Sequence, residues 1–276
     1  MSDKTALLNT LTSADRIKNI RNTVIGPESL GIWFLGQNGF LLKSADDIRI
    51  AIDPYLTNAC GEKYASGLFD LSRVFPPPLE PEDLEVDIVL LTHSHEDHLD
   101  EQTLRRIRNT PWIVGPFQAM QRVRDLQLSD CKHRLLHPAE SIELLGVRVE
   151  GTFALPTDST DLNHIGLKLT FPNGLTFYNT GDTAYAHRLE KLVPTNVDVC
   201  AICINGGFHN LSSSDAAQLT KAIVPKIVIP THYDLMPCNR SDPENFRIAL
   251  LHEGCTAAYH RLGYDEPLIY TRGELQ

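Results

Sequence analysis

The sequence has no long apolar run and no apolar segment near its start. No uninterrupted apolar stretch reaches the ~18–20 residues that a membrane-spanning helix needs. The opening segment, MSDKTALLNTLTSADRIKNIRN, carries charges throughout and lacks the apolar core of a secretory signal. We therefore expect a soluble, cytoplasmic protein that has no membrane partner.

Cysteine is sparse and irregularly spaced. The 6 cysteines in 276 residues do not have the pattern of a disulfide framework. Cys200 and Cys203 have the spacing of a CxxC metal or redox pair, but they lie in VDVCAICIN, which is typical of a buried strand. Because residues three apart on a strand point to opposite faces, we interpret this pair as structural. A GxSxG motif is also absent, so the sequence does not predict a serine nucleophile.

Basic residues are fewer than acidic residues. Lys and Arg number 25 against 35 Asp and Glu, which gives a formal net charge of −10. A negative field repels phosphate backbones, and no basic arm is evident. We therefore predict a small-molecule substrate and no nucleic-acid partner. The hydrophobic fraction of 42% and the charged fraction of 22% are ordinary for a globular protein.

Apolar periodicity predicts a helical start and then two halves of similar texture. Residues 1–25 have apolar side chains near helical spacing and are predicted as an extension of a single domain that covers 1–276. A long irregular connection is predicted over 57–85, either as a lid or as a surface strap. The predicted strands are 31–36, 39–43, 48–52, 86–91, 141–144, 147–150, 165–170, 175–178, 197–204 and 227–229. Helices are predicted at 101–107 and 212–222.

The densest group of ligand-type side chains is LTHSHEDHLD, residues 91–100, at the end of the apolar strand at 86–91. His93 and His95 are two residues apart, so they share one side of an extended backbone. Asp97 and His98 follow at the predicted turn into a helix. Neutral imidazoles and carboxylates bind borderline divalent metals well. This stretch therefore predicts part of a metal site.

The spacing His93-x-His95-x-Asp97-His98 resembles the HxHxDH signature of the metallo-β-lactamase superfamily. The resemblance extends over nearly all residues from 31 to 232. It implies an α/β fold, a four-layer αβ/βα sandwich in which two mixed β-sheets pack face to face with helices outside. It also implies that the site lies along one edge of the sheets, in loops that follow strand ends.

Three further landmarks of that superfamily are present: Asp53 in IDPYL, Asp182 in TGDT and His232 in PTHYD. The resemblance implies two divalent ions, Mn²⁺ or Zn²⁺. The first ion takes His93, His95 and a third ligand, and the second takes Asp97, His98 and His232. Asp182 is implied to bridge the two ions, and Asp53 to orient a ligand from outside the metal shell.

The third ligand of the first ion departs from the superfamily pattern. The superfamily usually supplies a histidine between the HxHxDH motif and the GD turn, but none directly follows ALP in residues 154–164. Asp158, Asp161 and His164 are the candidates, and Asp158 is our first choice. Oxygen in place of nitrogen would harden this site and favour Mn²⁺ over Zn²⁺.

Shorter segments indicate a branch of the superfamily and a reaction. LGQNGF, IDPYLT and VIPTHYD are similar to the branch that contains L-ascorbate-6-phosphate lactonase. This resemblance implies a metal-activated hydroxide that opens the lactone of a phosphorylated sugar acid, an anionic substrate, with Asp97 steering the hydroxide or taking up its proton. The family also implies a homo-oligomer. The alternatives are a phosphodiesterase of the same superfamily and a metal-binding scaffold that has lost catalysis.

Four other residues are weaker candidates for the site. His209 follows a buried strand and is predicted either to contact substrate or to be structural. Arg73, in the predicted lid, is a candidate for holding a phosphate, with a surface salt bridge as the alternative. Tyr233 and Asp234 adjoin His232 and are candidates for contacts around the metal ligands or the substrate.

Overall fold

Short apolar strands build two β-sheets in the computed structural model, which describes residues 11–128 and 131–273. In chain order the strands are β1 Ser29–Gly36, β2 Gly39–Lys43, β3 Arg49–Ile52, β4 Ile88–Leu90, β5 Trp112–Gly115, β6 Lys132–Leu135, β7 Ser141–Leu144, β8 Val147–Phe153, β9 Ile165–Thr170, β10 Thr176–Asn179, β11 Val199–Cys203, β12 Ile227–Thr231, β13 Ala258–Tyr259 and β14 Leu268–Thr271. The helices are α1 Ser13–Asn22, α2 Ala59–Lys63, α3 Glu101–Arg106, α4 Phe117–Asp125, α5 Ser213–Ile223 and α6 Pro243–Glu253.

The two sheets have matching patterns of strand pairing. Their strand orders are β14-β1-β2-β3-β4-β5-β6 and β13-β12-β11-β10-β9-β8-β7. Each sheet has three antiparallel pairs on one side and three parallel pairs on the other. The parallel pairs join β3 to β6 in the first sheet and β10 to β13 in the second. Parallel neighbours end at the same edge of a sheet, so the loops that follow them gather at that edge.

The main core lies between the sheets. Phe40 of β2 meets Phe177 of β10 edge-on, with ring centroids 5.4 Å apart, and both side chains are fully buried. Buried aliphatic residues of α1, α3 and α4 cover the outer face of the first sheet, and those of α5 and α6 cover the second. The order of layers is therefore helix, sheet, sheet, helix, which confirms the predicted sandwich of two mixed sheets.

The N-terminal helix is shorter than predicted. Thr12 has an extended backbone, and its hydroxyl accepts a hydrogen bond from Asp15 N, so the helix begins at Ser13 and ends at Asn22. Ile17 and Ile20 bury its apolar face against the first sheet. The first ten residues of the predicted extension lie outside the described residues. No helix in the described part of the chain is long and apolar enough to cross a membrane.

Most predicted strands and both later helices are confirmed with small shifts of their ends. Ser212 caps α5 through a reciprocal capping box with Asp215. Cys200 and Cys203 lie in β11 and are buried, which confirms the predicted strand there. The connection over 57–85 is irregular except for α2 and a single 3₁₀ turn at Pro81–Asp83.

We expect an Asp198→Asn variant to lose about 1.5–3 kcal/mol of folding free energy at neutral pH. The Asp198 carboxylate accepts hydrogen bonds from Thr176 N at 2.9 Å, Lys226 Nζ at 2.7 Å and the Tyr270 hydroxyl at 3.1 Å, and so ties β10, β12 and β14 together across the two sheets. Burial alone would raise the pKa of Asp198, but Lys226 and the Thr176 hydrogen bonds lower it below its ordinary value of 3.8. Denaturant unfolding at neutral pH measures the loss.

The pH dependence of that loss provides its control. The lowered pKa means that the stabilisation is present above pH ~4 and disappears as the folded-state carboxylate becomes protonated below it. The difference between wild type and variant should therefore narrow in acid. A difference that is absent at neutral pH, or constant down to the acid limit of folding, would contradict this role of Asp198.

Candidate metal centre

The candidate ligands lie at the edge where parallel strands of both sheets end. Asp53 directly follows β3, and His93 follows β4 after two residues. Asp182 and His232 follow β10 and β12 of the other sheet. His164 directly precedes β9, whose antiparallel pairing with β10 brings its amino end to the same edge. The two sheets therefore bring together residues that are far apart in sequence.

The first cluster consists of three histidines. His93, His95 and His164 each offer a ring nitrogen, and these atoms lie within 4.8 Å of one another. His93 Nε2 is 2.9 Å from His95 Nδ1, and the His164 ring stacks on the His93 ring at a centroid distance of 4.0 Å. His164 Nδ1 donates to the backbone oxygen of Asp182 at 3.0 Å, which leaves Nε2 with its lone pair. That Nε2 atom is buried without a hydrogen-bond partner.

The second cluster is Asp97, His98 and His232, whose ligand atoms also lie within 4.8 Å of one another. His232 Nε2 is 3.1 Å from Asp97 Oδ2 and 3.4 Å from His98 Nε2. The turn that follows His95 sets this arrangement, because the His98 and Leu99 amides both donate to the His95 backbone oxygen. The turn carries Asp97 and His98 away from the strand direction of His93 and toward His232.

Asp182 lies between the two clusters. It forms a third group with His93 and His98, and it also contacts the second cluster, with Oδ2 3.3 Å from His232 Nε2. Asn210 Nδ2 donates to the same oxygen at 2.6 Å. The other carboxylate oxygen, Oδ1, is buried and has no hydrogen-bond partner. Its position between the clusters is that of a bridging ligand.

The electrostatics of this edge favour bound cations. Burial alone would lower the pKa of His232, but the Asp182 and Asp97 carboxylates raise it to about 9. Burial also works against a charged Asp182, yet His232 and His98 hold the pKa of its carboxyl well below the usual range. Burial and the neighbouring imidazoles lower the pKa of His93, which keeps its ring neutral. Without metal, the carboxylates are therefore ionised and the His93 ring is neutral. His232 and His98, whose pKa values the neighbouring carboxylates raise, carry protons that a bound metal would displace.

The residues fit divalent metal ions. Two buried acceptor atoms, His164 Nε2 and Asp182 Oδ1, accept no hydrogen bond, and buried polar atoms are normally hydrogen-bonded. Each belongs to one of the His and Asp groups described above. A cation at each cluster would supply the missing partners, and no cysteine thiol is among the ligand atoms of these three groups.

Asp53 orients His98 from outside the clusters. His98 Nδ1 donates to Asp53 Oδ2 at 2.7 Å, which directs Nε2 toward the site. Asn38 Nδ2 and Thr92 N each donate to the same carboxylate at 2.8 Å. Asp53 is fully buried, so these contacts fix it firmly in place. This contact is the one predicted for Asp53 from the resemblance.

We expect an Asp53→Ala variant to bind metal about 10–100-fold more weakly than wild type. Without the Asp53 carboxylate, His98 loses the acceptor that fixes its tautomer and ring orientation. Competition with a chromophoric chelator measures the affinity. Asp46→Ala, a change at an exposed carboxylate in the turn before β3, is the control. Equal affinities for the Asp53 and Asp46 variants would contradict the orienting role.

Gln37 and Asn38 were missed as functional residues. Gln37 Nε2 donates to Asp97 Oδ2 at 2.7 Å and lies 3.1 Å from His232 Nε2, so it positions two members of the second cluster. Asn38 contacts Asp53, as described above. A signal was available, because both residues lie in the segment LGQNGF that indicated the branch, but no role was predicted for either residue. They occupy the tight turn between β1 and β2, where Gln37 has φ +56°.

The structure groups His164, and not the first choice Asp158, with His93 and His95. The Asp158 side chain is 47% exposed, and Oδ2 is 3.5 Å from His95 Nε2 while Oδ1 accepts hydrogen bonds from Thr160. Asp161 instead accepts the Ser94 amide at 2.8 Å and is structural. Neither carboxylate is part of a ligand cluster among the described residues. Three imidazoles remove the reason for preferring Mn²⁺ at this site.

Arg73 does not lie where a phosphate would bind near these clusters. Its guanidinium donates to the backbone oxygens of Tyr55 at 2.7 Å and Phe75 at 3.2 Å, and it stacks over the Tyr55 ring. It is absent from the described residues that line the cavity beside the metal clusters. Nε and Nη1 thus donate to backbone carbonyls, while Nη2 is buried without a hydrogen-bond partner. The structure does not bring Arg73 to this cavity, and its phosphate role stays a prediction.

Three other predicted residues do not contact the clusters. His209 is exposed and does not line the cavity, whereas its neighbours Phe208 and Asn210 do. The buried Tyr233 hydroxyl accepts from Arg261 Nε at 3.2 Å, and Asp234 accepts from the Tyr264 hydroxyl at 3.1 Å. Neither residue belongs to the ligand groups or lines the cavity among the described residues.

A cavity of ≈ 310 Å³ opens beside the clusters. His95, Asp97, Asp182 and His232 form its metal-side wall. The irregular connection over 57–85 supplies part of the opposite wall, including Tyr64, Phe69 and Leu71. The connection therefore contributes to the candidate substrate site, as the predicted role of a lid requires.

Comparison with known proteins decides the family. The family model for the beta-lactamase superfamily domain matches residues 31–232. The chain belongs to the beta-lactamase superfamily. The matched range coincides with the span of the sequence landmarks and confirms the predicted superfamily. The finer assignment to the lactonase-containing branch stays a prediction.

Curated relatives and solved structures agree with this membership. A UPF0173 metal-dependent hydrolase of Thermoplasma acidophilum is 26% identical over 201 residues, covering 72% of this chain and 82% of that protein. Another of the same name, from Oenococcus oeni, is 28% identical over 235 residues, with 78% and 90% covered. The structure of Igni18, a metallo hydrolase from Ignicoccus hospitalis, has a TM-score of 0.66 at 22% identity and covers 88% of this chain and 98% of that one. That structural likeness supports the fold.

Proposed function

We propose that this chain is a metal-dependent hydrolase that opens a lactone with the help of two divalent ions. The observation that carries the proposal is the pair of ligand clusters, His93, His95 and His164 beside Asp97, His98 and His232, with Asp182 between them. Metal-dependent hydrolysis is supported by membership of the superfamily and by the names of the UPF0173 relatives. The lactone as substrate rests on the sequence resemblance.

The ligand chemistry supports zinc for the first cluster, since three imidazoles suit a borderline metal. When bound, two divalent ions would lower the pKa of a water toward neutrality and polarise the carbonyl of an ester. His93, His95 and His164 would hold one ion, and Asp97, His98 and His232 the other. Asp182 would contact both through its carboxylate.

Asp97 is suited to orienting the attacking water. Burial raises the pKa of its carboxyl, but His98 and His232 lower it below the usual range, so Asp97 remains ionised. It lines the cavity, and the hydrogen bond from Gln37 Nε2 fixes Oδ2. An ionised carboxylate of low pKa accepts a hydrogen bond well but takes up a proton poorly. We therefore assign to Asp97 the steering role that was predicted and not the role of proton acceptor.

The phosphate on the predicted substrate has no support from the cavity. No Lys or Arg is among the described residues that line it. Arg73, the predicted phosphate ligand, donates to backbone carbonyls instead. The same lack of cations counts against a phosphodiesterase. We therefore retain the lactone and leave a phosphate out of the proposal; the cytoplasmic location and the homo-oligomer stay predictions.

Hydrolysis assays with the zinc- and manganese-loaded protein test the proposal. The substrates are neutral lactones, a phosphorylated sugar lactone and a phosphodiester, each with His95→Ala as control. We expect lactone opening that depends on His95. Cleavage of the diester with inert lactones would overturn the proposal in favour of a phosphodiesterase. No turnover together with fewer than two ions per chain would favour the metal-binding scaffold.

A further inference from the structure

Part of the cavity lining, the apolar wall, consists of Tyr64, Phe69, Leu71, Phe208 and Met236. These residues come from three separate loops, after α2, after β11 and after β12, which converge on one space. Asp97 and His232 line the same cavity. A bound molecule whose reacting group reaches the metal ligands would therefore place its remaining part against hydrocarbon.

The nearest basic side chains are already paired. Lys63 forms an ion pair with Glu96. Arg122 contacts Glu101 at 2.7 Å and Glu96 at 3.1 Å. The charged residues that line the cavity apart from the metal ligands are both acidic, Glu96 and Asp158. An anionic group on the non-reacting part of a substrate would meet negative charge and no unpaired cation, so the wall disfavours it.

Two aromatic residues at this wall are left partly exposed. Phe69 is 55% and Phe208 is 45% exposed, although their rings meet edge-on with centroids 5.4 Å apart. Phe208 is also held at φ +52°, a backbone conformation that is unfavourable for a bulky residue. Exposed apolar surface beside ligand-type residues is typical of a binding site. An apolar group that enters the cavity would bury part of both rings.

We infer that the site accepts a neutral ester or lactone that carries an apolar group, and that Phe69 and Phe208 bind this group. The inference rests on the proposed function and names its substrate class. The reacting carbonyl lies toward Asp97 and His232, and the apolar group lies against the two rings. Phe69 and Phe208 are therefore specificity residues, which select the substrate without taking part in the chemical step.

Burial of apolar surface gives the expected size of the effect. Each buried methylene favours binding by about fourfold, the equivalent of ~0.8 kcal/mol. Among lactones with straight alkyl substituents, kcat/KM should rise about fourfold per methylene until the cavity is filled. A terminal charge on the substituent should remove the gain. Phe69→Ala and Phe208→Ala should flatten the dependence on chain length.

A binding measurement tests the inference without relying on turnover. Calorimetry with the zinc-loaded protein would give the dissociation constants of straight-chain carboxylates from acetate to octanoate. We expect affinity to rise with chain length in wild type, and less steeply in Phe69→Ala and Phe208→Ala. Leu68→Ala is the matched control, because Leu68 adjoins Phe69, is 98% exposed and does not line the cavity. Its dependence on chain length should equal that of wild type.

The two experiments separate the inference from the proposed function. An affinity that does not change with chain length, or a loss that is equally large in Leu68→Ala, would overturn the inference even if lactones are opened. A chain-length dependence that needs Phe69 and Phe208 would support the apolar wall even if lactones proved inert. In that case the proposed lactone chemistry fails while the apolar specificity stands.

Discussion

An Asp182→Asn protein should hold fewer than two metal ions per chain and should lose nearly all hydrolytic activity. Asp182 Oδ1 is a buried carboxylate oxygen without a hydrogen-bond partner, 3.5 Å from His98 Nε2, and Oδ2 lies 3.3 Å from His232 Nε2. An amide keeps the shape but removes the negative charge and one acceptor oxygen. We expect activity to fall by more than the roughly 10–100-fold that losing an outer-shell partner costs. Elemental analysis and hydrolysis rates measure both effects.

The matched control for this variant is Asp125→Asn, the same change at an exposed residue at the end of α4. It should retain both metal content and activity. Circular dichroism of the two variants would show that the fold is intact. Full metal loading and wild-type activity in Asp182→Asn would contradict the bridging position of Asp182.

A His164→Ala protein should lose the ion of the first cluster and retain that of the second. His164 Nδ1 donates to the Asp182 backbone oxygen, and its buried Nε2 is then available to a cation. With His164 removed, His93 and His95 remain in the first cluster beside the shared Asp182, a weaker set of ligands than three imidazoles with the same carboxylate. We expect metal content near one ion per chain and a loss of activity exceeding about 100-fold. Elemental analysis after dialysis gives the count.

The comparison with Asp158→Ala makes this prediction decisive. Asp158 is half exposed, its Oδ1 accepts from Thr160 in the same loop, and it lies outside the ligand groups although Oδ2 is 3.5 Å from His95 Nε2. Its removal should therefore leave metal content unchanged. His187→Ala, a change at a histidine whose side chain is 88% exposed, controls for loss of a histidine elsewhere. Two ions per chain in His164→Ala together with fewer than two in Asp158→Ala would contradict the prediction and identify Asp158 as the third ligand.

The candidate metal ligands that could be predicted from the sequence are those that lie in short motifs. His93, His95, Asp97 and His98 lie within six residues of one another at the end of a buried strand, so local geometry places them. Asp182 and His232 were found through the family resemblance, because nothing local joins them to the first motif. The two-sheet fold was predictable for a similar reason, since apolar runs such as β11 are typical of buried strands.

The position of His164 beside His93 and His95 could not be predicted from the sequence, because tertiary packing determines it. The Ile165 amide donates to the Thr92 backbone oxygen at 3.0 Å, which fixes the start of β9 beside the strand end that carries His93. His164, immediately before Ile165, therefore stacks on His93. Sequence spacing after ALP shows the candidates but not this contact between the sheets, and Asp158 was preferred because it is nearer to the expected position.

Arg73 and the C-terminal strand show the same dependence on distant contacts. The sequence shows that Arg73 lies in a proline-rich connection. It does not show that Nε and Nη1 of this residue donate to the backbone oxygens of Phe75 and Tyr55. Strand β14 completes the first sheet by pairing with β1, more than 200 residues earlier in the chain. Strands as short and partly exposed as β6, β13 and β14 have too little periodicity to be recognised from sequence.

Anomalous diffraction from crystals of the zinc-loaded protein would test the central claim most directly. The account predicts two peaks ~3.5–4 Å apart. One should lie within ~2.0–2.1 Å of ring nitrogens of His93, His95 and His164, and the other beside Asp97, His98 and His232. Asp182 should contact both. A single peak, or an Asp158 oxygen bound at the first ion in place of His164, would contradict the account.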